Sequence, residues 1–160
     1  MRDVRLPEFP FTFPVDVWFR DLDAMGHVNN AVYFSYFEQA RTQYWITLLG
    51  KETAVSGIDP HKIGFIVARL ECDFHAPAFL GQPLLVGCRI SEIRHTSFDF
   101  HYRVISGIKD ASDAEYRLLA SGKSVCVLYD WESRGKIPFS DELKKKIEAR
   151  EGPSVKIAAR

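Results

Sequence analysis

The stretch AVYFSYFEQARTQYWITLL, residues 31–49, is the one long helical run in this chain, and the rest must be arranged around it. Asn29 or Asn30 can cap its start, and Gly50 supplies its stop. At 1.5 Å per residue it spans about 28 Å, enough to cross a domain. Tyr33, Phe37, Ala40, Tyr44 and Leu48 recur on one face at spacings of three and four. Phe34, Trp45 and Leu49 widen that face, and Tyr36 extends it. Ser35, Glu38, Gln39, Thr42 and Gln43 form the narrower polar remainder. A helix apolar over most of its girth is wrapped, not laid on a surface.

The segments on either side read as strands. After a proline-rich arm (Pro7, Pro10, Pro14), Val15, Val17 and Phe19 alternate with polar or large neighbours and predict a first strand. Beyond the helix, Ile66, Ala68, Leu70, Cys72, Phe74 and Ala76 alternate with Val67, Arg69, Glu71, Asp73 and His75, predicting one buried face. Further runs cover Leu84 to Arg94, Thr96 to Ile105 (Phe98, Phe100, Tyr102 and Val104 facing one way) and Arg117 to Tyr129, the last after a polar loop from Ser106 to Glu115. Ser140 caps a short helix with early acids and late bases, as the helix dipole favours. The last ten residues, holding Gly152 and Pro153, are expected to be loose. Short connections favour antiparallel neighbours, which gives the order β-α-β-β-β-β: one antiparallel sheet curled around one long central helix, an α+β fold. One sheet covers one side of that helix, so the leftover apolar girth predicts a second subunit.

Composition narrows the class. In 160 residues, 21 Lys and Arg balance 21 Asp and Glu, which excludes a nucleic-acid binder working by bulk electrostatics. The longest apolar run, Val125 to Tyr129, is far too short to cross a membrane. The first residues do not read as a secretory leader, and Cys72, Cys88 and Cys126 read as small buried thiols of a reducing compartment. A single cytoplasmic domain over residues 1–160 is expected. No histidine or cysteine pair has the spacing of a metal site; Cys72 and His75 fall on opposite strand faces, and His61, His75, His95 and His101 read as surface or partly buried residues. Gly122-Lys123-Ser124 lacks the glycine that a phosphate loop needs five positions earlier, where Arg117 stands.

The turn before the helix carries the chemistry. It gathers Asp21, Asp23, a flexible Gly26, His27, Asn29 and Asn30 at a helix start whose free N–H groups favour negative charge. A carboxylate beside such donors is the minimum equipment for acyl hydrolysis: the donors polarise the carbonyl, and the acid attacks it or activates water. A plain capping turn, with Asp23 holding nearby amides, accounts for the same spacing.

The run Asp21-Leu22-Asp23-Ala24-Met25-Gly26-His27-Val28-Asn29-Asn30-Ala31-Val32-Tyr33, continuing through Glu38-Gln39-Ala40-Arg41, resembles the hotdog-fold thioesterases related to 4-hydroxybenzoyl-CoA thioesterase. The likeness spans about residues 14 to 139 in element order. It implies the hotdog fold, dimers or tetramers, and metal-free hydrolysis of acyl-CoA, in some members of acyl carrier protein thioesters, with no cofactor beyond the CoA of the substrate. By position, Asp23 matches the nucleophile or general base. Gly26 to Asn30, including His27, match the loop that polarises the carbonyl, and Tyr33 matches an aromatic near the acyl group. Met25 stands where some members carry an asparagine. Another branch takes its acid from the helix, where Glu38 lies. Arg94, His95 and Ser97 resemble the turn beside the pantetheine, and Lys123 is a further candidate for CoA contact, as are Arg134 and Lys136. Two rivals share the fold: a non-catalytic acyl-CoA-binding module, and a dehydratase pairing His27 with Glu38.

Overall fold

The protein is described by a computed structural model covering Leu6 and residues 8–49, 64–106 and 116–158. The stop at Gly50, His61 and loop residues 107–115 lie outside the described residues. Strand β1 (Phe11–Asp16) leads through a 3-10 turn (Phe19–Asp21) to helix α1 (Val32–Leu49). Strands β2 (Gly64–Phe74), β3 (Pro83–Ile93), β4 (Ser97–Ser106) and β5 (Arg117–Asp130) follow, then β6 (Gly135–Lys136), α2 (Asp141–Glu151) and β7 (Lys156–Ile157). The main sheet runs β1-β3-β4-β5-β2, with all these neighbours antiparallel. β6 pairs with β5, and β7 pairs with β3. This is the antiparallel sheet with one long helix that the sequence pattern predicts, and the hotdog arrangement that the resemblance implies.

Aromatic stacking seats α1 on the sheet. Phe37 stacks on Tyr102 at 4.4 Å, Tyr44 meets Phe100 edge-on at 5.3 Å, and Trp45 stacks on Phe98 at 5.4 Å. Each such pair adds about 0.5–1.5 kcal/mol beyond its area. Gly122, in mid-β5, makes the closest approach possible: a Cβ there would lie 2.5 Å from the Phe37 ring and 2.9 Å from the Glu71 carbonyl oxygen. The Tyr102 hydroxyl, fully buried, is paired with the Ser124 hydroxyl at 2.6 Å.

Four expectations are corrected. The first strand begins before Pro14 and stops at Asp16. β1 is an edge strand, where a missing N–H is tolerated, and Phe19 turns out to solvent at 79% exposure. The Asp21 carboxylate accepts the Trp18 N–H at 2.9 Å, a local bond that bends the chain into the 3-10 turn instead. In β2 the register slips between Val67 and Arg69, so the inward parity changes. Phe65 packs on Trp45 and Phe98 before the slip, and Leu70 and Cys72 face the core after it; Ala68 is exposed. The tail is anchored through Ala158, since β7 runs parallel to β3 at Glu92 and Ile93, and the Ala158 N–H reaches the Ile93 carbonyl. Finally, one chain covers more of α1 than expected. Tyr33, Tyr36, Phe37, Ala40, Tyr44, Trp45 and Leu48 are all buried, while Val67 and Phe74 on edge strand β2 are exposed.

The N-terminal arm covers part of the sheet face opposite α1. Leu6 and Phe9 pack on Leu85 and Ile105, over Gly87, where a Cβ would strike both. Glu151, at the end of α2, sits in the core and accepts from the Tyr44 hydroxyl at 2.6 Å and the Ile90 N–H at 2.8 Å. The slip in β3 between Ile90 and Glu92 interrupts pairing at that point, and this buried carboxylate takes up the Ile90 N–H.

Candidate active site

The turn between the 3-10 helix and α1 is a miniature hairpin. Leu22 bridges Val28, the Asp23 N–H reaches the His27 carbonyl at 2.9 Å, and the Gly26 N–H returns to the Asp23 carbonyl at 3.0 Å. Gly26 closes it with φ of 81°, a left-handed conformation that side chains resist. The hairpin is fixed from both sides: Val28 donates to the Ala78 carbonyl at 2.8 Å, and Asn29 to the Asp21 carbonyl at 2.8 Å.

Within this frame the Asp23 carboxylate is held at both oxygens. Oδ1 accepts the Met25 N–H at 2.8 Å, and Oδ2 lies 3.2 Å from His27 Nδ1. The two side chains remain 24% and 34% exposed, so water and substrate reach them. They open on a cavity of about 610 Å³, whose walls include Asn30, Tyr33, Phe74 and Pro77. Burial, then the neighbouring Cys72, raises the Tyr33 phenol, against a hydrogen bond with the Ala78 backbone.

The helix start differs from a simple cap. Asn29 Oδ1 and Asn30 Oδ1 both accept from the Ala31 N–H, at 2.9 and 3.0 Å. Of the amides between Gly26 and Asn30, those of Gly26, Val28 and Asn29 are committed to carbonyls. The N–H groups of His27 and Asn30 have no acceptor among the described residues. Those two donors are uncommitted at the start of the helix.

The chain thus brings Asp23, His27, Asn30 and Tyr33 around one space, while Gly26 shapes the turn without lining it. Arg94, His95, Ser97 and Lys123 do not line it. Arg94 forms a bidentate pair with Asp99 and donates to Ser97 Oγ at 3.0 Å, while Lys123 Nζ meets Asp99 at 2.8 Å. These groups occupy the sheet face away from α1. Burial opposes ionisation of Asp99, but the hydrogen bonds and charges of Arg94 and Lys123 outweigh it and hold the carboxyl below its usual range. Glu38 is 69% exposed, beside Arg41 at 3.7 Å, and does not line the Asp23 cavity. His75, read from sequence as a bland histidine, also lines that cavity and pairs with Ser121 Oγ at 2.8 Å. Only the end of β2 and the turn toward Pro77 bring it there, and no local pattern marks it. Among the described residues, no three His, Cys, Asp or Glu side chains converge as a metal site. No helix among them is long and apolar enough to cross a membrane.

Comparison with known proteins identifies the family. The thioesterase-like superfamily matches residues 17–147. An acyl-CoA thioesterase, YbgC of Haemophilus influenzae, is 35% identical over 95 residues, 59% of this chain and 68% of that protein. The acyl-CoA thioester hydrolase YbgC of Escherichia coli O157:H7 is 29% identical over 120 residues, 75% of this chain and 82% of its own. A thioesterase from Thermus thermophilus, solved with coenzyme A and zinc, superposes with a TM-score of 0.73 at 32% identity, over 92% of this chain and 98% of the other.

Proposed function

The chain belongs to the thioesterase-like superfamily, and from that premise we propose that it hydrolyses acyl-CoA thioesters to the free acid and CoA, with Asp23 as the reacting carboxylate. One observation carries this: a carboxylate that no lysine or arginine among the described residues neutralises stands beside an imidazole and two uncommitted N–H groups, at an open, largely apolar cavity.

The chemistry follows from those groups. The thioester carbonyl oxygen takes the N–H groups of His27 and Asn30 as negative charge develops. Asp23 takes a proton from the attacking water, or attacks the carbonyl carbon itself and is released by water in a second step. The tetrahedral intermediate collapses with the C–S bond breaking. His27, bound through Nδ1 to Asp23, is placed to return the proton to the departing thiolate. No step requires a metal or a cofactor other than the substrate's own CoA. Tyr33 faces the acyl group. Arg94, His95, Ser97 and Lys123 do not line this cavity, and Arg94 and Lys123 are held by Asp99, so a CoA contact there rests on the resemblance alone; substitution would then act on KM. The acyl group is fatty or aromatic, and acyl carrier protein is the alternative carrier.

The protein should work as a homodimer or homotetramer. Support comes from β2, an edge strand with no second neighbour among the described residues, where Val67 and Phe74 are exposed and along which the cavity opens. Sedimentation velocity reads this directly, and a stable monomer would refute it. The function is tested by thiol release from a panel of acyl-CoAs, expected for the parent and lost in Asp23→Asn. Binding of acyl-CoA with no hydrolysis by either protein would favour a binding module.

A further inference from the structure

One polar side chain of the Asp23 cavity takes no part in the proposed hydrolysis. Besides Asp23, His27 and Asn30 from the turn, the cavity is lined by His75, which follows the end of β2. Its position is set twice. The His75 and Ala76 N–H groups both reach the Leu119 carbonyl, at 2.8 and 3.1 Å, and the ring pairs through Nε2 with Ser121 Oγ at 2.8 Å. Nδ1 has no partner among the described residues. Because the hydroxyl can give or accept a hydrogen, that free nitrogen can present either a lone pair or an N–H.

Burial gives the cavity a direction. Val28 and Tyr33 are buried and form its floor, whereas Met25, Phe74 and His75 are exposed and form its rim. An apolar acyl group gains most at the floor, and the charged phosphates of a carrier stay in water, so the carrier leads out across the rim. On the carrier side of the thioester, the first polar group past the sulfur is an amide of the pantetheine arm, which CoA and acyl carrier protein share. Of these three rim side chains, only that of His75 can bond an amide well.

We infer that His75, held by Ser121, hydrogen-bonds the first amide of the pantetheine arm; this rests on the acyl-CoA hydrolase proposal above. His75 touches substrate without joining in bond making, and Ser121 is a positioning residue that acts through the His75 ring. A contact made alike in the bound substrate and the transition state appears in KM and leaves kcat alone.

The test is a ladder of thioesters that carry one acyl group on shortening thiols. CoA, pantetheine and N-acetylcysteamine keep the amide, and propanethiol lacks it. His75→Ala should raise KM by about two- to tenfold for the first three, the effect of one hydrogen bond, with kcat within about twofold. For the propanethiol ester kcat/KM should not change. Ser121→Ala, which leaves the ring unheld, should give a smaller loss with the same dependence on the amide; a loss there that ignores the amide overturns its part. A loss in His75→Ala that is equal with and without the amide, or absent throughout, overturns the inference, as does one confined to kcat. The same acyl group on CoA and on an acyl carrier protein, compared by kcat/KM in the parent, shows which carrier presents the amide. S-alkyl thioethers of the same thiols cannot be hydrolysed, and calorimetry with them reads the contact by binding alone. A parent that cleaves no thioester removes the hydrolase proposal. An amide-dependent loss of thioether affinity in His75→Ala still supports the contact, and an amide-independent loss or none refutes it.

Discussion

Two carboxylates on opposite sides of the sheet are treated in opposite ways. Asp99, almost fully buried at 2% side-chain exposure, is gripped by Arg94 and Lys123 and has its charge cancelled on the spot. Asp23 is held just as firmly, but by a backbone amide and an imidazole, with no lysine or arginine against it among the described residues. Both are ordered. Asp99 is matched by two cationic side chains, whereas Asp23 is positioned by the Met25 N–H and the His27 ring.

The largest break in that contrast should come from Asp23→Asn, which keeps the shape and removes the charge. Turnover should fall by about 10²–10⁴, the usual range for losing an acid–base group. Acyl-CoA affinity should stay within about tenfold, or roughly 1.4 kcal/mol, as direct binding to the variant would read. Glu38→Gln should leave turnover within about twofold, as expected of a side chain outside the cavity; a reversal of these two results would move the reacting acid onto the helix.

Asp99→Asn should do the converse. It leaves two cations without their partner, and about 2–3 kcal/mol of stability should be lost in urea unfolding. That is less than for a fully buried pair, because Arg94 and Lys123 are 32% and 36% exposed. Turnover per folded molecule should change by no more than about twofold, since the two acids lie on opposite faces.

Stability against pH sharpens the comparison further by setting Asp99 against Glu151. Asp99 has a depressed pKa, so its contribution is complete above the ordinary carboxylate range and is lost as pH falls through the depressed value. Glu151 is raised, chiefly by burial, despite the bonds from Tyr44 and Ile90. Its contribution is greatest below the ordinary range and is lost as pH rises through the raised value. Asp99→Asn should flatten the acid limb of a melting-temperature profile, and Glu151→Gln the limb just above it. Matching limbs in parent and variants would count against these assignments. The smallest effect expected is none: chelation with EDTA should leave thioester hydrolysis unchanged, and loss restored by a divalent ion would put a metal beside Asp23.

Much of this was legible in the sequence wherever a local pattern controls the outcome. Phe98, Phe100, Tyr102 and Val104 alternate without interruption, and β4 is buried on that face. The crowded turn before α1 announced its residues because glycine, carboxylate and amides must be adjacent to make it. What escaped depends on partners distant in the chain. The β2 slip at Ala68 preserves an alternation that reads equally well in either parity. Pro14 resembles a strand breaker until its place on the sheet edge is known, and β7 is too short to read without β3 beside it. Arg94 and Lys123 look like free cations until Asp99 is found between them.

Gly122 gives the fold an evolutionary consequence. It lies far along the chain from Asp23, at a position that lines no part of the acid's cavity, yet it sets how closely Phe37 and α1 settle on the sheet. Asn30 and Tyr33 travel with that helix. Even the smallest side chain at position 122 would act as a shim under it and shift Asn30 and Tyr33 together. Drift should therefore be closed at this silent-looking site, and a saturation library should find position 122 as intolerant as the chemistry it never touches.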